Sequence, residues 1–209
     1  MKTIIINASP RNNFNTALLL KEAAKGAEEV GEVKYIDLYD LSFSGCVSCL
    51  SCKNKAAKVQ CRCYHKDDIT DIINEIYTSD HLIIGSPIYF SQVTAGFRAV
   101  MERAVFPALS YNDYKSTFGG KVDVDIFLTM NVGKEGYEKM YKDKFAGEFG
   151  SFGLLNGKVN IYPFCDTLQV EDYSKYNMAG FSEEHKRKVH EEEFPKCLEM
   201  AYGIGKGIK

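Results

Sequence analysis

The stretch TIIINASPRNNFNTALLLKEAAKGAEEV, Thr3 to Val30, decides the fold. Thr3 to Ala8 is a short β-branched apolar run that stops in polar turn residues, as a strand buried on both faces of a parallel sheet does. Thr16 to Val30 is rich in Ala and Leu at helical spacing, with Thr16 placed to cap it. Between them lies a polar loop. Strand, loop and helix in this order open a βαβ unit, and VKYIDL (Val33 to Leu38) alternates as the second strand.

The alternation continues outward. Ile69, Ile72, Ile73 and Ile76 mark one face of a helix. HLIIGSP (His81 to Pro87) reads as a third strand running into a turn, and Phe97, Val100, Met101 and Ala104 follow at helical spacing. KVDVDIFLTM (Lys121 to Met130) is a fourth strand, with Asp123 and Asp125 on one side of it. Tyr137, Tyr141, Lys144 and Phe145 continue one helical pattern through KEGYEKMYKDKFAGEF. VNIYPF (Val159 to Phe164) is a fifth strand whose Pro163 suits an edge or a strand end. The tail from Phe181 is charged and helical, broken or restarted at Pro195. Strands alternating with helices predict an α/β fold with an open, doubly wound parallel sheet, residues 1–209 forming one domain.

Composition narrows the function classes. Hydrophobic content of 45 % and charged content of 26 % over 209 residues are ordinary for a soluble globular chain. A formal charge of −2 gives no electrostatic basis for a nucleic-acid partner. No apolar run is long enough to span a membrane. The first residues lack a signal peptide's apolar region, so a cytoplasmic location is expected, where thiols stay reduced.

In open α/β sheets, ligands bind beyond the carboxyl ends of the strands. The first such loop, ASPRNNFNTA (Ala8 to Ala17), has neither GxGxxG nor GxxxxGK[ST]. Instead Ser9, Asn12, Asn13, Asn15 and Thr16 offer hydroxyls and amides, Arg11 offers a fixed cation, and a helix N-terminus follows at once. That combination suits a single phosphate group. The plainer alternative is a polar loop that only caps its helix.

The second concentration of chemistry is GCVSCLSCKNKAAKVQCRCYHKDD, Gly45 to Asp68, which holds five of the chain's seven cysteines. The odd count and the expected reducing compartment argue against a disulfide framework. Cys46, Cys49 and Cys52 stand at a three-residue spacing that lets one short segment turn three thiolates to one site, and iron–sulfur clusters take four. Cys61 or Cys63 would be the fourth. Zinc held by four thiolates, or by three with His65, is an alternative, as is a metal-free thiol loop. Cys165 and Cys197 read as small buried hydrophobes. No histidine pairs recognisably with a nucleophile and an acid, so no catalytic side chain is assigned, and Asp67–Asp68 reads as a helix cap.

SPR followed by NTA after the first strand, GSPIYF (Gly85 to Phe90) after the third, and Cys-x-x-Cys-x-x-Cys leading to Asp67, Asp68 and Ile69 together resemble the flavodoxin-like NAD(P)H-dependent FMN reductases, in their iron–sulfur flavoprotein branch. The resemblance covers Met1 to about Phe127, and the remainder only by order of elements. It implies a five-stranded parallel sheet of order 2-1-3-4-5 with helices on both faces. It implies FMN, with its phosphate at Ser9, Arg11, Asn15, Thr16 and Ala17 and its ring along Pro87, Ile88, Tyr89 and Phe90. A third contact would lie in TMNVGKEG, at Thr129 and Gly133, where a flexible turn is the alternative. DTLQVEDYSKY (Asp166 to Tyr176) reads as a surface loop, with a cover for the flavin as the other reading. The resemblance also implies NAD(P)H as co-substrate, a 4Fe–4S cluster on Cys46, Cys49, Cys52 and one of Cys61 and Cys63, and a homodimer or homotetramer. The expected function is an FMN-dependent oxidoreductase passing electrons to a quinone, an iron–sulfur centre or another acceptor. A non-enzymatic flavin and iron–sulfur electron carrier and a zinc-stabilised binding module are the alternatives.

Overall fold

The computed structural model describes residues 1–208. Strands β1 (Lys2–Asn7), β2 (Glu32–Asp37), β3 (His81–Pro87), β4 (Val122–Thr129) and β5 (Asn156–Phe164) form one parallel sheet in the order β2-β1-β3-β4-β5, as expected. The cause is visible in β1, where Ile4 and Ile6 enter the core on one face and Ile5 enters it on the other. A strand apolar on both sides must be covered on both sides.

Helices α1 (Asn15–Glu28) and α7 (Phe194–Lys206) cover one face through Leu19, Leu20, Ala23 and Ala201. The other face packs against α2 (Thr70–Ile76), α3 (Ala95–Val105) and α5 (Lys142–Phe149), whose Ile73, Phe97 and Phe149 are buried together. Helices α4 (Lys134–Met140) and α6 (Glu183–Glu192) complete the α-helices among the described residues. Helices α1 and α7 cross closely because Gly26 and Gly205 face the other helix. A β-carbon on either would drive into backbone, the Tyr202 carbonyl for Gly26 and the Ala23 carbonyl for Gly205. Among the described residues no helix is long and apolar enough to cross a membrane.

Three expectations change. Thr16 lies inside α1 and does not cap it; Phe14 holds the cap position with no side-chain bond, and the Thr16 hydroxyl bonds Thr129 Oγ1 at 2.7 Å. The single helix expected from Lys134 to Phe149 breaks at Tyr141 (φ −122°) into α4 and α5. That turn lets Tyr141 stack on Phe145 and Phe145 on Phe149, with ring centroids 5.6 and 5.4 Å apart. Asp67 and Asp68 leave α2 without a side-chain cap and bond elsewhere, as described below. Pro195 does restart the chain, in the first turn of α7, where an N–H has no partner to lose.

Candidate functional site

Three loops meet beyond the carboxyl ends of β1, β3 and β4. The Thr94 hydroxyl caps α3 by accepting from Phe97 N and donates to the Ala8 carbonyl at 2.7 Å, which pins the first loop to the start of α3. Ile88 N donates to the Thr129 carbonyl at 2.9 Å, and the Thr16–Thr129 hydroxyl pair joins α1 to the end of β4. Thr129 therefore ties all three loops together, and its side chain and that of Thr16 are turned to each other.

The first loop has a vacant set of donors. Asn15, Thr16 and Ala17 are buried, yet their backbone N–H groups find no acceptor among the described residues. Buried amides left open at a helix N-terminus fit an anion, because the dipole and the donors point the same way. Buried Ser9 stands beside them, its Oγ accepting from Arg11 N at 3.2 Å. Arg11 lays its guanidinium over the Phe14 ring, 4.1 Å from the centroid, and Nη1 donates to the Gln169 carbonyl at 2.7 Å. Asn15 Nδ2 donates to the Leu168 carbonyl at 2.6 Å. The structure brings Ser9, Arg11, Asn15, Thr16 and Ala17 together around these amides, and Asn15 and Thr16 turn their main chain there while their side chains bond elsewhere.

In the second loop, Tyr89 and Gln92 exchange backbone hydrogen bonds around Phe90 (φ 48°) and Ser91 (φ 64°). Positive φ at both central residues is the requirement of a type I′ hairpin turn, strained for residues other than Gly, Asn or Asp. The turn is braced from the α4–α5 break and from α5: Ser91 Oγ bonds the Tyr141 hydroxyl at 3.0 Å, and Lys144 Nζ donates to the Ser91 carbonyl. Pro87 is buried, Ile88 is half-buried, and the Tyr89 and Phe90 rings are exposed. The Ile88 and Tyr89 amides are used internally, which leaves those of Phe90 and Ser91 without an acceptor among the described residues. In the third loop Gly133 precedes α4 with open space where its β-carbon would stand.

A strap crosses these loops, formed by the start of the segment Asp166 to Tyr176 that the sequence offered as a surface loop or a cover. Asp166 N and Thr167 N donate to the carbonyls of Val132 and Met130, and Asn131 Nδ2 donates to Gln169 Oε1 at 2.6 Å. Buried Lys186 in α6 donates to the Asn131 carbonyl at 2.9 Å and to Asp166 Oδ1, while His185 Nε2 lies 2.6 Å from Asp166 Oδ2. Burial would push the Asp166 carboxyl up, but its bonds to Lys186 and His185 hold it below the usual range. Lys186 sits among charged neighbours in α6, so no pattern marked it.

The cysteine segment packs along α3. Ser42 N and Ser44 N donate to Asp68 Oδ2 and Asp67 Oδ2, at 2.7 and 3.1 Å, and Cys46 N donates to Glu102 Oε2 at 3.2 Å. The acidic pair therefore fastens the start of this segment and does not cap α2. Ser48 and Leu50, on either side of Cys49, both take positive φ, 53° and 57°. Cys46, Cys49, Cys52 and Cys63 line one recess together with His65 and Arg103. Asn74 holds Cys63 there, accepting from its amide at 2.8 Å and donating to its carbonyl at 3.1 Å. Cys61 (φ 53°) turns away, its Sγ 3.5 Å from Thr117 Oγ1. Among the described residues no three His, Cys, Asp or Glu side chains converge closely enough to hold a single metal ion.

Arg103 was not singled out by the sequence, where it is one more residue of a mixed helix. It is 1 % exposed. Nη1 donates to the Ser44 carbonyl (3.2 Å) and Asp67 Oδ2 (2.5 Å), and Nη2 to the His65 carbonyl (3.1 Å) and Thr70 Oγ1 (3.2 Å). Nε is buried without a hydrogen-bond partner among the described residues. Burial opposes ionisation of Asp67, but the Arg103 bond and the Ser44 amide hold its carboxyl low. Arg103 stands nine positions after Thr94, beside the first loop, about 13 Å of helix rise.

The model of the NADPH-dependent FMN reductase family matches residues 1–137. An iron–sulfur flavoprotein of Archaeoglobus fulgidus is 34 % identical over 208 residues, covering 95 % of this chain and 98 % of that one. One from Methanocaldococcus jannaschii is 36 % identical over 105 residues, half of this chain and about half (52 %) of the relative's length. Among solved structures, an NAD(P)H:quinone oxidoreductase from Methanothermobacter marburgensis superposes with a TM-score of 0.68 at 15 % identity, covering 100 % of this chain and 99 % of that one. An FMN-dependent NADH-azoreductase of Bacillus anthracis, solved with FMN, gives 0.63 at 15 % identity, covering 98 % and 100 %. At these identities the two structures speak for the fold alone.

Proposed function

Because the chain belongs to the NADPH-dependent FMN reductase family, we propose that it is an FMN-dependent oxidoreductase that takes hydride from NADH or NADPH and hands electrons on through a cluster in its cysteine recess. The observation that carries the reading is the uncapped start of α1, three open amides among buried residues where three loops converge. These amides, Ser9 and the remaining Arg11 donors would hold the FMN phosphate. Pro87, Ile88 and Tyr89 would lie along the ring, and the free amides of Phe90 and Ser91 would meet its polar rim. Gly133 leaves room beside it. Bound FMN would supply the chemistry, accepting a hydride as two electrons and releasing them singly.

The chain's part is to bind and orient. The type I′ turn fixes the main chain at the ring, the strap closes over the first loop, and the exposed Tyr89 and Phe90 rings offer apolar surface on which a nicotinamide can stack. Cys46, Cys49, Cys52 and Cys63 would hold a four-iron cluster. The unpartnered Arg103 Nε beside them supports an anionic occupant, and the likeness to iron–sulfur flavoproteins supports its kind. Cys61 is left out.

The test is an absorption spectrum of protein purified without oxygen, followed by addition of NADH and then NADPH. Flavin bands that bleach with either nicotinamide are the expected result. Bands that bleach only with dithionite would make the protein an electron carrier, and a colourless zinc-containing protein would make it a binding module; both overturn the reductase.

A further inference from the structure

Among the described residues Arg103 is the one cation that α3 sends into this recess, and holding the segment accounts for all of its donors but Nε. Four of its five donors' contacts go to oxygen atoms that flank the cysteine segment, Ser44, His65, Asp67 and Thr70, so the guanidinium is held from two sides. The fork cannot turn. Its one remaining N–H, on Nε, is buried and unbonded in a side chain that lines the space shared by Cys46, Cys49, Cys52 and Cys63. A donor left open in a buried place costs stability unless something occupies that place. The nearest chemistry that answers it is a thiolate or sulfide sulfur.

We propose that Arg103 is the positioning residue that sets the reduction potential of the cluster, its fixed charge and Nε–H acting on the sulfurs around Cys63. This rests on the cluster reading above. The couple is a one-electron one, in which reduction adds one electron to the cluster and forms or breaks no bond. The added negative charge is stabilised by a buried cation and by N–H donors to sulfur, both of which raise a cluster's potential. Asp67, paired with Arg103 at 2.5 Å, opposes it by partly cancelling that charge. The two residues thus have opposite electrostatic effects while belonging to one ion pair, and this separates electrostatics from architecture.

The experiment compares the whole protein with Arg103→Gln and Asp67→Asn, each made and kept without oxygen. Iron and acid-labile sulfide are measured, and the midpoint potential is taken from a dithionite titration followed by electron paramagnetic resonance. At a fixed poise Arg103→Gln is expected to lower the reduced-to-oxidised ratio about tenfold, a fall of about 59 mV for a one-electron couple. Asp67→Asn is expected to shift the potential upward. Equal shifts in one direction, or none, would show that the pair only holds the segment together, and would overturn the proposal. If Arg103→Gln fails to retain iron, Asp67→Asn decides alone: a raised potential supports the proposal, and an unchanged or lowered one refutes it. Natural-sequence protein without iron and sulfide would instead overturn the cluster reading, and this inference with it.

Discussion

Arg11 lays its guanidinium over the Phe14 ring and bonds the strap at Gln169, with donors left over for the proposed FMN phosphate. FMN brings a charge for it to pair with and riboflavin does not. Arg11→Ala is therefore expected to weaken FMN by about tenfold, about 1.4 kcal/mol, and riboflavin by less than about twofold. Equal losses, measured by flavin fluorescence, would mean that Arg11 acts only by holding the strap. Cys165 gives a second check at this scale. Burial, with the Asp166 charge next to it, pushes its thiol up to about 11. Only the thiolate alkylates, so its iodoacetamide rate should climb about tenfold per pH unit from 8 to 10. Peptide mapping that finds a plateau near pH 9 would contradict the burial described here.

Between elements, the α1–α7 contact depends on the absence of side chains. At Gly205 a β-carbon would collide with the Ala23 carbonyl, whereas at Gly203, two residues earlier on the same helix, it would meet open space. The same substitution should therefore have opposite signs. Gly205→Ala is expected to cost about 1–3 kcal/mol by overpacking, and Gly203→Ala to gain about 0.5–1 kcal/mol from helix propensity. At about 2–4 °C per kcal/mol for a chain of this size, thermal melts resolve both. A loss at Gly203 equal to that at Gly205 would mean that α7 packs on another face. The α4–α5 break belongs to this scale too, because it turns Tyr141 toward Ser91 and so supports the Tyr89–Gln92 turn from outside it.

Across the molecule, Asp67, Glu75, Asp123 and Asp166 are all held below their ordinary values of 3.8 or 4.5 by Arg, Lys, His or backbone N–H partners. A carboxyl with a depressed folded value contributes stability that is complete above its unfolded value. That contribution is lost as pH falls through the folded one. The melting temperature should thus stay flat from pH 7 to about 5 and fall steeply below about 4. Glu75 joins Lys2 of β1 and Lys34 of β2, Asp67 fastens the cysteine segment and Asp166 fastens the strap. Acid should therefore loosen the sheet edge, the cysteine segment and the strap in one range. A melting temperature unchanged down to pH 3 would show that these pairs carry no stability.

What the sequence determined by itself was local. Runs such as Thr3 to Asn7, turn residues and helical spacing specify strands, loops and helices over a few neighbours, and their order brought the five-stranded arrangement and the places of the Ser9 and Pro87 loops with it. Tertiary structure alone decided the rest. Thr16 faces Thr129, Asn15 reaches Leu168, Cys63 joins the cysteine triple while Cys61 turns away, and Arg103 and Lys186 are buried cations at loops far from them in the chain. Each of these is a pairing across many residues. Where such a side chain points depends on which partner the folded chain sets beside it, and no local periodicity carries that information.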